Sequence, residues 1–377
     1  MFKIALYTFA AMYYNFSKER MVFDVNVSGL STPALILDVQ KFNANAEKMR
    51  QILDGSQLKL RPHYKSHKCA AIAKWQIENG AIGMTCAKLS EAEDLCDAGI
   101  EDILIANQIV DPAKLHRMAD LAKNCRLTVC VDNAANIAAI SRAAVASAST
   151  IHCLVEFDIG MERCGVTTKE EVADLAWQIL LAPNLAFDGI QAYAGHLSHT
   201  EDAAERKART AENYEKLRQL LAYLEEKGFP AKTVSGGSTG TAEIKAAEGL
   251  YTELQAGSYL FMDSTYRTLD LPFENSLFLL TTVVSKHDDL TVVDAGVKTC
   301  GVDQGMPTPF DGSVCNIVAS EEHFQLHGYS EDKKIGDQVR LIPGHCCSTV
   351  NLHDKIYVVD GDKVIDRIPI TARTIGR

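Results

Sequence analysis

Three short stretches concentrate the residues that do chemistry. RPHYKSHKC (61–69) sets Lys65 between His63 and His67. Cationic neighbours disfavour an ammonium, so Lys65 is a candidate amine nucleophile for a Schiff base. A solvated basic turn is the competing reading. Strand alternation predicts His63, Lys65 and His67 on one face. VSGGSTGT (234–241) supplies Gly236, Gly237 and Gly240, where the backbone can approach closely, with the hydroxyls of Ser238 and Thr239 between them. Successive N–H groups in such a turn can cradle a phosphate, although no lysine follows in the Walker arrangement. A plain tight turn would look the same. PGHCCSTVNLHD (343–354) packs His345, Cys346, Cys347, His353 and Asp354 into twelve residues. Those donors suit a metal, or an ordinary strand with a buried thiol and a surface histidine. An amine that traps aldehydes and a seat for phosphate together point to pyridoxal phosphate, which needs both.

The elements that must position these groups are legible as alternating patterns. Candidate strands cover 58–64, 82–87, 102–108, 127–132, 151–158, 187–193, 232–237 and 251–257. Helical patterns lie between most of them. One is SEAEDLCDAG (90–99), with an acidic start and a terminal glycine. Another spans 200–228, where Leu217, Leu220, Leu221 and Leu224 have helical spacing. Eight strands with intervening helices suit a parallel α/β fold, and eight closes a (β/α)8 TIM-like barrel, with an open doubly wound sheet as competitor. Beyond about residue 262 the runs LFLLTTVVSK, DLTVVDAG, SVCNIVAS, QVRLIPG and KIYVVDGDKVIDRIPI predict a C-terminal all-β domain. The Asp-Gly pair at 311–312 and the Gly-Asp pair at 361–362 predict hairpins. PALILDV (33–39) reads as a strand that enters the barrel or pairs with the β domain. The expected division is an extension over 1–30, a barrel over 31–262 and a β domain over 263–377. The first twenty residues are too short and mixed for a membrane span, and a natural start at Met21 fits them.

Composition narrows the function classes. A net charge of −11 argues against a nucleic-acid surface. Eleven scattered cysteines, an odd number with no CxxC pair, predict free thiols in a reducing cytoplasm rather than a disulfide framework or a zinc ribbon.

From Thr32 onward the chain resembles the D-threonine aldolase and D-serine dehydratase family of pyridoxal-phosphate enzymes, which shares its barrel with alanine racemases. The likeness rests on TPALILD (32–38), RPHYKSHKC, FDIGMERCGV (157–166), GIQAYAGHLSH (189–199), SGGSTGT, YTELQAGSYLFMDSTY (251–266), ENSLFLLTTVVS (274–285), VVDAGVKT (292–299) and PGHCCSTVNLHD. It implies an alanine-racemase-type barrel with a β domain. Residue by residue, it implies Lys65 as the Schiff-base lysine, Arg163 at the cofactor's phenolic oxygen and Tyr193 beside the pyridine ring. It also implies Gly236, Gly237, Ser238, Thr239 and Gly240 as the phosphate loop, Tyr259 as a phosphate contact, and His199 as a histidine of the aldolase pattern. His196 has no counterpart role. His345 and Cys347 match two ligands of a divalent metal, zinc, manganese or magnesium. The thiolate favours zinc. Strand alternation predicts both ligands on one face of an extended segment. Lys298, Asp303 and Gln304 are further candidates for the substrate end, and His353 and Asp354 read as structural.

The implied activity is metal-assisted cleavage of a D-3-hydroxy amino acid of the D-threonine type to glycine and an aldehyde, with His199 or metal-bound water as base. The alternative is a dehydratase acting on D-serine or D-threo-3-hydroxyaspartate, giving a 2-oxo acid and ammonia. Most motifs resemble the aldolases, whereas His345-x-Cys347 departs from their His-x-Asp and resembles the dehydratases. A racemase needs no metal, and a non-catalytic cofactor carrier needs no β domain. The resemblance also implies a cytoplasmic homodimer without nucleic-acid or membrane partners.

Overall fold

The computed structural model describes residues 25–329 and 332–373; the extension over 1–20 and the proposed start at Met21 lie outside the described residues. The chain divides into two compact units. One takes the chain up to Arg50, Ser66–Trp75 and the part from Ser258 onward; the other takes Gln51–Lys65 and Gln76–Gly257.

The second unit holds eight parallel strands. They are β2 (Lys59–Leu60), β3 (Met84–Cys86), β4 (Asp102–Ile105), β5 (Arg126–Val131), β6 (Ile151–Glu156), β7 (Leu185–Gln191), β8 (Thr233–Gly236) and β9 (Glu253–Leu254). Each falls within one residue or two of an expected run. Their order is β2-β9-β8-β7-β6-β5-β4-β3, all parallel, and a bridge between His63 and Thr85 joins the two ends. This is the TIM-like ring. Four of the intervening helices start on side-chain caps: Asp111, Asn133, Thr168 and Asp202 each accept a first-turn N–H. In the longest, Ala203–Glu226, Leu217, Leu220 and Leu224 form the buried stripe.

The first unit is built on a nine-stranded sheet. Its path is β13 (Asn316–Ala319), β14 (Phe324–His327), β11 (Leu290–Val293), β10 (Leu277–His287), β1 (Ala34–Asp38), β16 (Lys355–Asp360) and β17 (Lys363–Pro369), with β15 (Gln338–Ile342) on β10 and β12 (Thr308–Pro309) on β15. The apolar run of 34–38 is a central strand here, antiparallel to β10 and parallel to β16. Burial on both faces explains why it lacks alternation. Residues 31–50 therefore belong with the sheet and not with the barrel. The Gly361–Asp362 turn closes the β16–β17 hairpin. The Asp311–Gly312 turn makes no hairpin, because β12 pairs with β15 and β13 with β14. Among the described residues no helix is long and apolar enough to cross a membrane.

Strand β2 has only two ladder residues, but backbone bonds continue on both sides of it, from Arg61 N–H to the Leu254 carbonyl (3.0 Å) and from Thr85 N–H to the Pro62 carbonyl (2.9 Å), and a side chain adds to them where the ring closes. Arg61 does this. It is buried, and its guanidinium donates to Asp102 at 2.8 Å and to Glu253 at 2.8 Å. Burial opposes its charge, yet the two carboxylates raise its pKa above the usual range. Removing one member of a buried pair strands the other. Replacing Arg61 with Leu is expected to cost about 3 kcal/mol, read as a lower urea midpoint for the loss of structure. An unchanged midpoint would show that the ring closes without it.

Candidate active site

Within the barrel unit, the candidate groups sit just after the C-terminal ends of the strands, where barrels place their chemistry. Lys65 follows β2 in a tight 3-10 turn, Tyr64–Ser66, and is half-buried. The turn ends the strand at His63, so the expected one-face alternation of His63, Lys65 and His67 does not hold. Instead, the Lys65 backbone N–H donates to His63 Nδ1 at 3.4 Å. Tyr64, fully buried, donates to Asp94 and pins the turn.

Arg163 is carried on an excursion after β6. Its two ends are tied where Asp158 N–H donates to the Val166 carbonyl (2.9 Å) and Val166 N–H to that of Glu156 (3.0 Å). Inside it, the Asp158 carboxylate collects the N–H groups of Gly160 (2.9 Å), Met161 (2.8 Å) and Glu162 (3.0 Å). The exposed guanidinium of Arg163 stands 5.4 Å from the Tyr193 ring centroid, a cation–π pair. The structure thus brings Arg163 and Tyr193 together.

The segment after β7 carries Tyr193, His196, Ser198 and His199; the turn after β8 carries Gly236–Gly240. The two meet at Gly240, where a Cβ would lie 2.1 Å from the Ser198 carbonyl oxygen. At Gly236 a Cβ would lie 2.4 Å from the Ala192 carbonyl oxygen. Only glycine allows this approach. Ser238 N–H donates to Thr241 Oγ1 at 3.2 Å, and Thr239 and Gly240 begin a helical turn whose first N–H groups have no partner in the turn itself. The buried hydroxyls of Thr239 and Ser198 have no hydrogen-bond partner among the described residues. Buried orphan hydroxyls are costly, and an anion accepting from both would remove that cost. These residues fit the phosphate of pyridoxal phosphate. His199 is half-buried. His196 Nδ1 is buried without a partner among the described residues, and burial, reinforced by Arg209, lowers the ring's pKa.

The sequence did not single out the polar layer at these strand ends. Gln255 donates to Gln191 Oε1 and Ser235 Oγ, both at 2.9 Å, and Gln108 donates to Glu156. Burial pushes the Glu156 carboxyl up, against the pull of Gln108. The available signal was a polar residue closing each of several apolar runs.

In the sheet unit, Tyr259 is buried and packs on Phe273, with ring centroids 6.0 Å apart. His345 and Cys347 do not lie on a strand. His345 is the N-cap of a short helix, Cys346–Leu352, and Cys347 is that helix's second residue. The helix forms because its N-terminus is anchored: the buried Asp263 carboxylate accepts the Cys346 N–H at 3.0 Å, and the His345 carbonyl takes the Thr349 N–H (3.1 Å) and hydroxyl (2.7 Å). A Cβ at Gly344 would lie 1.8 Å from the Gly305 carbonyl oxygen, which forces the 301–305 segment against the turn. That contact sets Asp303 beside the imidazole, with Oδ2 2.7 Å from His345 Nδ1.

This geometry leaves Nε2 of His345 as the nitrogen for a metal, oriented through Nδ1 by a carboxylate. Burial works against the imidazolium, but the Cys347 thiol and Asp303 raise its pKa to about 9. The Cys347 thiol reaches Ser66 Oγ at 3.4 Å and Ser258 Oγ at 3.9 Å. Among the described residues no group of three or more His, Cys, Asp or Glu side chains converges as a metal cage. An imidazole and a thiol fit a cation held by two protein ligands, with its other positions left to water or substrate. Of the remaining candidates, Lys298 is paired with Glu321 (2.7 Å) and Glu322 on the surface, and the Gln304 carbonyl accepts from Thr265. His353 donates to the Thr299 carbonyl at 2.8 Å, and Asp354 pairs with Lys355.

Comparison with known proteins supplies the family. Residues 37–265 match the alanine racemase N-terminal domain, and 276–359 a putative serine dehydratase domain. The chain is 41% identical to a D-threonine aldolase of Arthrobacter sp over 362 residues, covering 92% of this chain and 94% of the relative. It is 40% identical to a 3-hydroxy-D-aspartate aldolase of Paracoccus denitrificans (strain Pd 1222), covering 93% and 94%. The crystal structure of D-threonine aldolase from Filomicrobium marinum superposes with a TM-score of 0.91 at 38% identity, covering 94% of this chain and 98% of that one. The chain belongs to the D-threonine aldolase and D-serine dehydratase family of alanine-racemase-like enzymes, and within it stands with the aldolases, which are carbon–carbon lyases.

Proposed function

We propose that this protein is a pyridoxal-phosphate-dependent, metal-activated aldolase that cleaves a D-3-hydroxy amino acid of the D-threonine type to glycine and an aldehyde. The observation that carries the reading is the likeness to aldolases at about two residues in five over nearly the whole chain. The substrate class is what the two relatives share by name, a D-amino acid with a 3-hydroxyl.

Each residue then has a task. Lys65 holds the cofactor through its aldehyde carbon. Gly236, Gly237, Ser238, Thr239 and Gly240, with Tyr259, hold its phosphate, and Arg163 and Tyr193 fix its ring. When bound, pyridoxal phosphate supplies an electron sink for breaking a bond at Cα. His345, steadied by Asp303, and Cys347 hold a divalent cation, with zinc favoured by the thiolate. That cation supplies Lewis acidity toward the substrate's 3-hydroxyl. His199 accepts the hydroxyl proton on a ring nitrogen as the Cα–Cβ bond breaks. A second reading is favoured by Cys347 alone. If Lys65 removes the Cα proton instead, the 3-hydroxyl departs and a 2-oxo acid and ammonia result. We take the active species to be a cytoplasmic homodimer, on the strength of the family and of the free-thiol composition.

Product analysis tests the reaction. With D-threonine or D-3-hydroxyaspartate, glycine and an aldehyde are expected in equal amounts. Release of 2-oxobutyrate from D-threonine, or of oxaloacetate from D-3-hydroxyaspartate, with ammonia would replace the aldolase by the dehydratase.

Lys65→Ala is expected to lose the visible absorbance of bound cofactor. His345→Ala and Cys347→Ala should keep that absorbance and lose turnover by about a hundredfold, the worth of several kcal/mol of Lewis-acid assistance. Full turnover of both variants in chelator would remove the metal from the mechanism. Sedimentation of the active protein should give the mass of a dimer; a monomer with full activity would contradict the assembly.

A further inference from the structure

The helix that follows the glycine turn buries a lysine that the mechanism does not use. Lys245, on Ala242–Glu248, is 2% exposed. Its ammonium stands over the Tyr251 ring, 3.5 Å from the centroid, and among the described residues makes neither a hydrogen bond nor an ion pair. Burial drives its pKa down to about 7, with Glu248 pulling the other way. An ammonium in such a place is costly without a compensating anion.

Its position relative to the turn is close. A Cβ at Gly237 would lie 2.7 Å from Lys245 Cδ and 3.2 Å from Cε, so the lysine stem runs directly against that glycine. Gly237 has φ +80, which favours glycine on its own account. The ring beneath the ammonium is fixed as well. Tyr251 Oη donates to the Ala192 carbonyl at 2.8 Å, and its Cε1 lies 2.9 Å from where a Gly236 Cβ would sit. Turn, ring and lysine therefore form one packed unit, in which an anion at the turn would favour the charged form of the buried amine.

We propose that Lys245 is a positioning residue for the phosphate end of the cofactor: held against Gly237 on the Tyr251 ring, its ammonium supplies the charge that makes the glycine turn prefer a phosphorylated ligand. The aromatic face keeps the cation in place without neutralising it. The turn's N–H groups and the hydroxyls of Thr239 and Ser198 give the anion its direct contacts, and Lys245 adds the field behind them. This rests on the reading that the turn holds the cofactor's phosphate.

The test compares two ligands. Full-chain protein stripped of cofactor with hydroxylamine is titrated with pyridoxal 5′-phosphate and with pyridoxal, which lacks the phosphate, and binding is followed by absorbance. Lys245→Met keeps the stem and removes the charge. It is expected to weaken pyridoxal 5′-phosphate about tenfold, the scale of one nearby opposite charge without direct contact, and to leave pyridoxal unchanged. Tyr251→Phe, which keeps the ring and loses the bond to Ala192, should retain the phosphate preference. Equal losses for both ligands in Lys245→Met, or no loss, would overturn the proposal and leave the lysine a packing role. If Lys245→Met does not fold, Lys245→Arg decides: a retained preference supports the charge, and a lost one overturns it. Wild-type protein that binds both ligands equally would instead sink the phosphate reading of the turn.

Discussion

The seat of Lys65 depends on a guanidinium. A ring of eight strands must close, and here the closing strand contributes only two ladder residues. Arg61 adds to the backbone bonds on either side of that strand by bonding Asp102 and Glu253, at the starts of β4 and β9. The charges are buried, so the arrangement is specific as much as it is stabilising. With Arg61 in place, the chain leaves β2 in a defined direction and turns within four residues to Lys65. Everything assigned to that amine follows from where the turn begins.

The two units handle charge differently. In the barrel unit the glycine turn offers amides and unpartnered hydroxyls, with Lys245 beside them, so an anion is the missing partner. In the sheet unit Asp303 and the Cys347 thiol flank His345 and raise its pKa, while the buried Asp263 accepts an N–H at the start of its helix. The phosphate of pyridoxal phosphate, the cofactor the family implies, is complementary to the first of these environments. Neither environment requires the net charge of the chain, which is acidic, to favour its ligand.

Much of this was legible in the sequence because local rules and tertiary structure agree. Each barrel strand is a short apolar run bounded by turn residues. The glycine turn could be read because its spacing is dictated by backbone approach. Other parts were not legible, for reasons that can be named. The partners of β1 lie some 240 and 320 residues further along, and nothing local distinguishes them. Cys346–Leu352 has weak helix propensity and forms because Asp263 and the glycine contact at 344–305 anchor its start. Alternation was the wrong period for it, and equally for 63–67. Asp303 was legible as a candidate for the substrate end, but its place beside the His345 ring was not, because the close approach of Gly344 to Gly305 sets it. Lys245 gave no signal, since a lysine in a helix ordinarily points to water.

The loop that bears Arg163 begins and ends on the same strand end, its two limbs bonded to each other before it leaves the barrel. Such a closed appendage can be lengthened, shortened or re-equipped at its tip without shifting a single strand. Selection could therefore change what the Arg163 loop presents while the scaffold beneath stays as it is, and relatives of similar fold would be expected to diverge at that tip before they diverge in the strands.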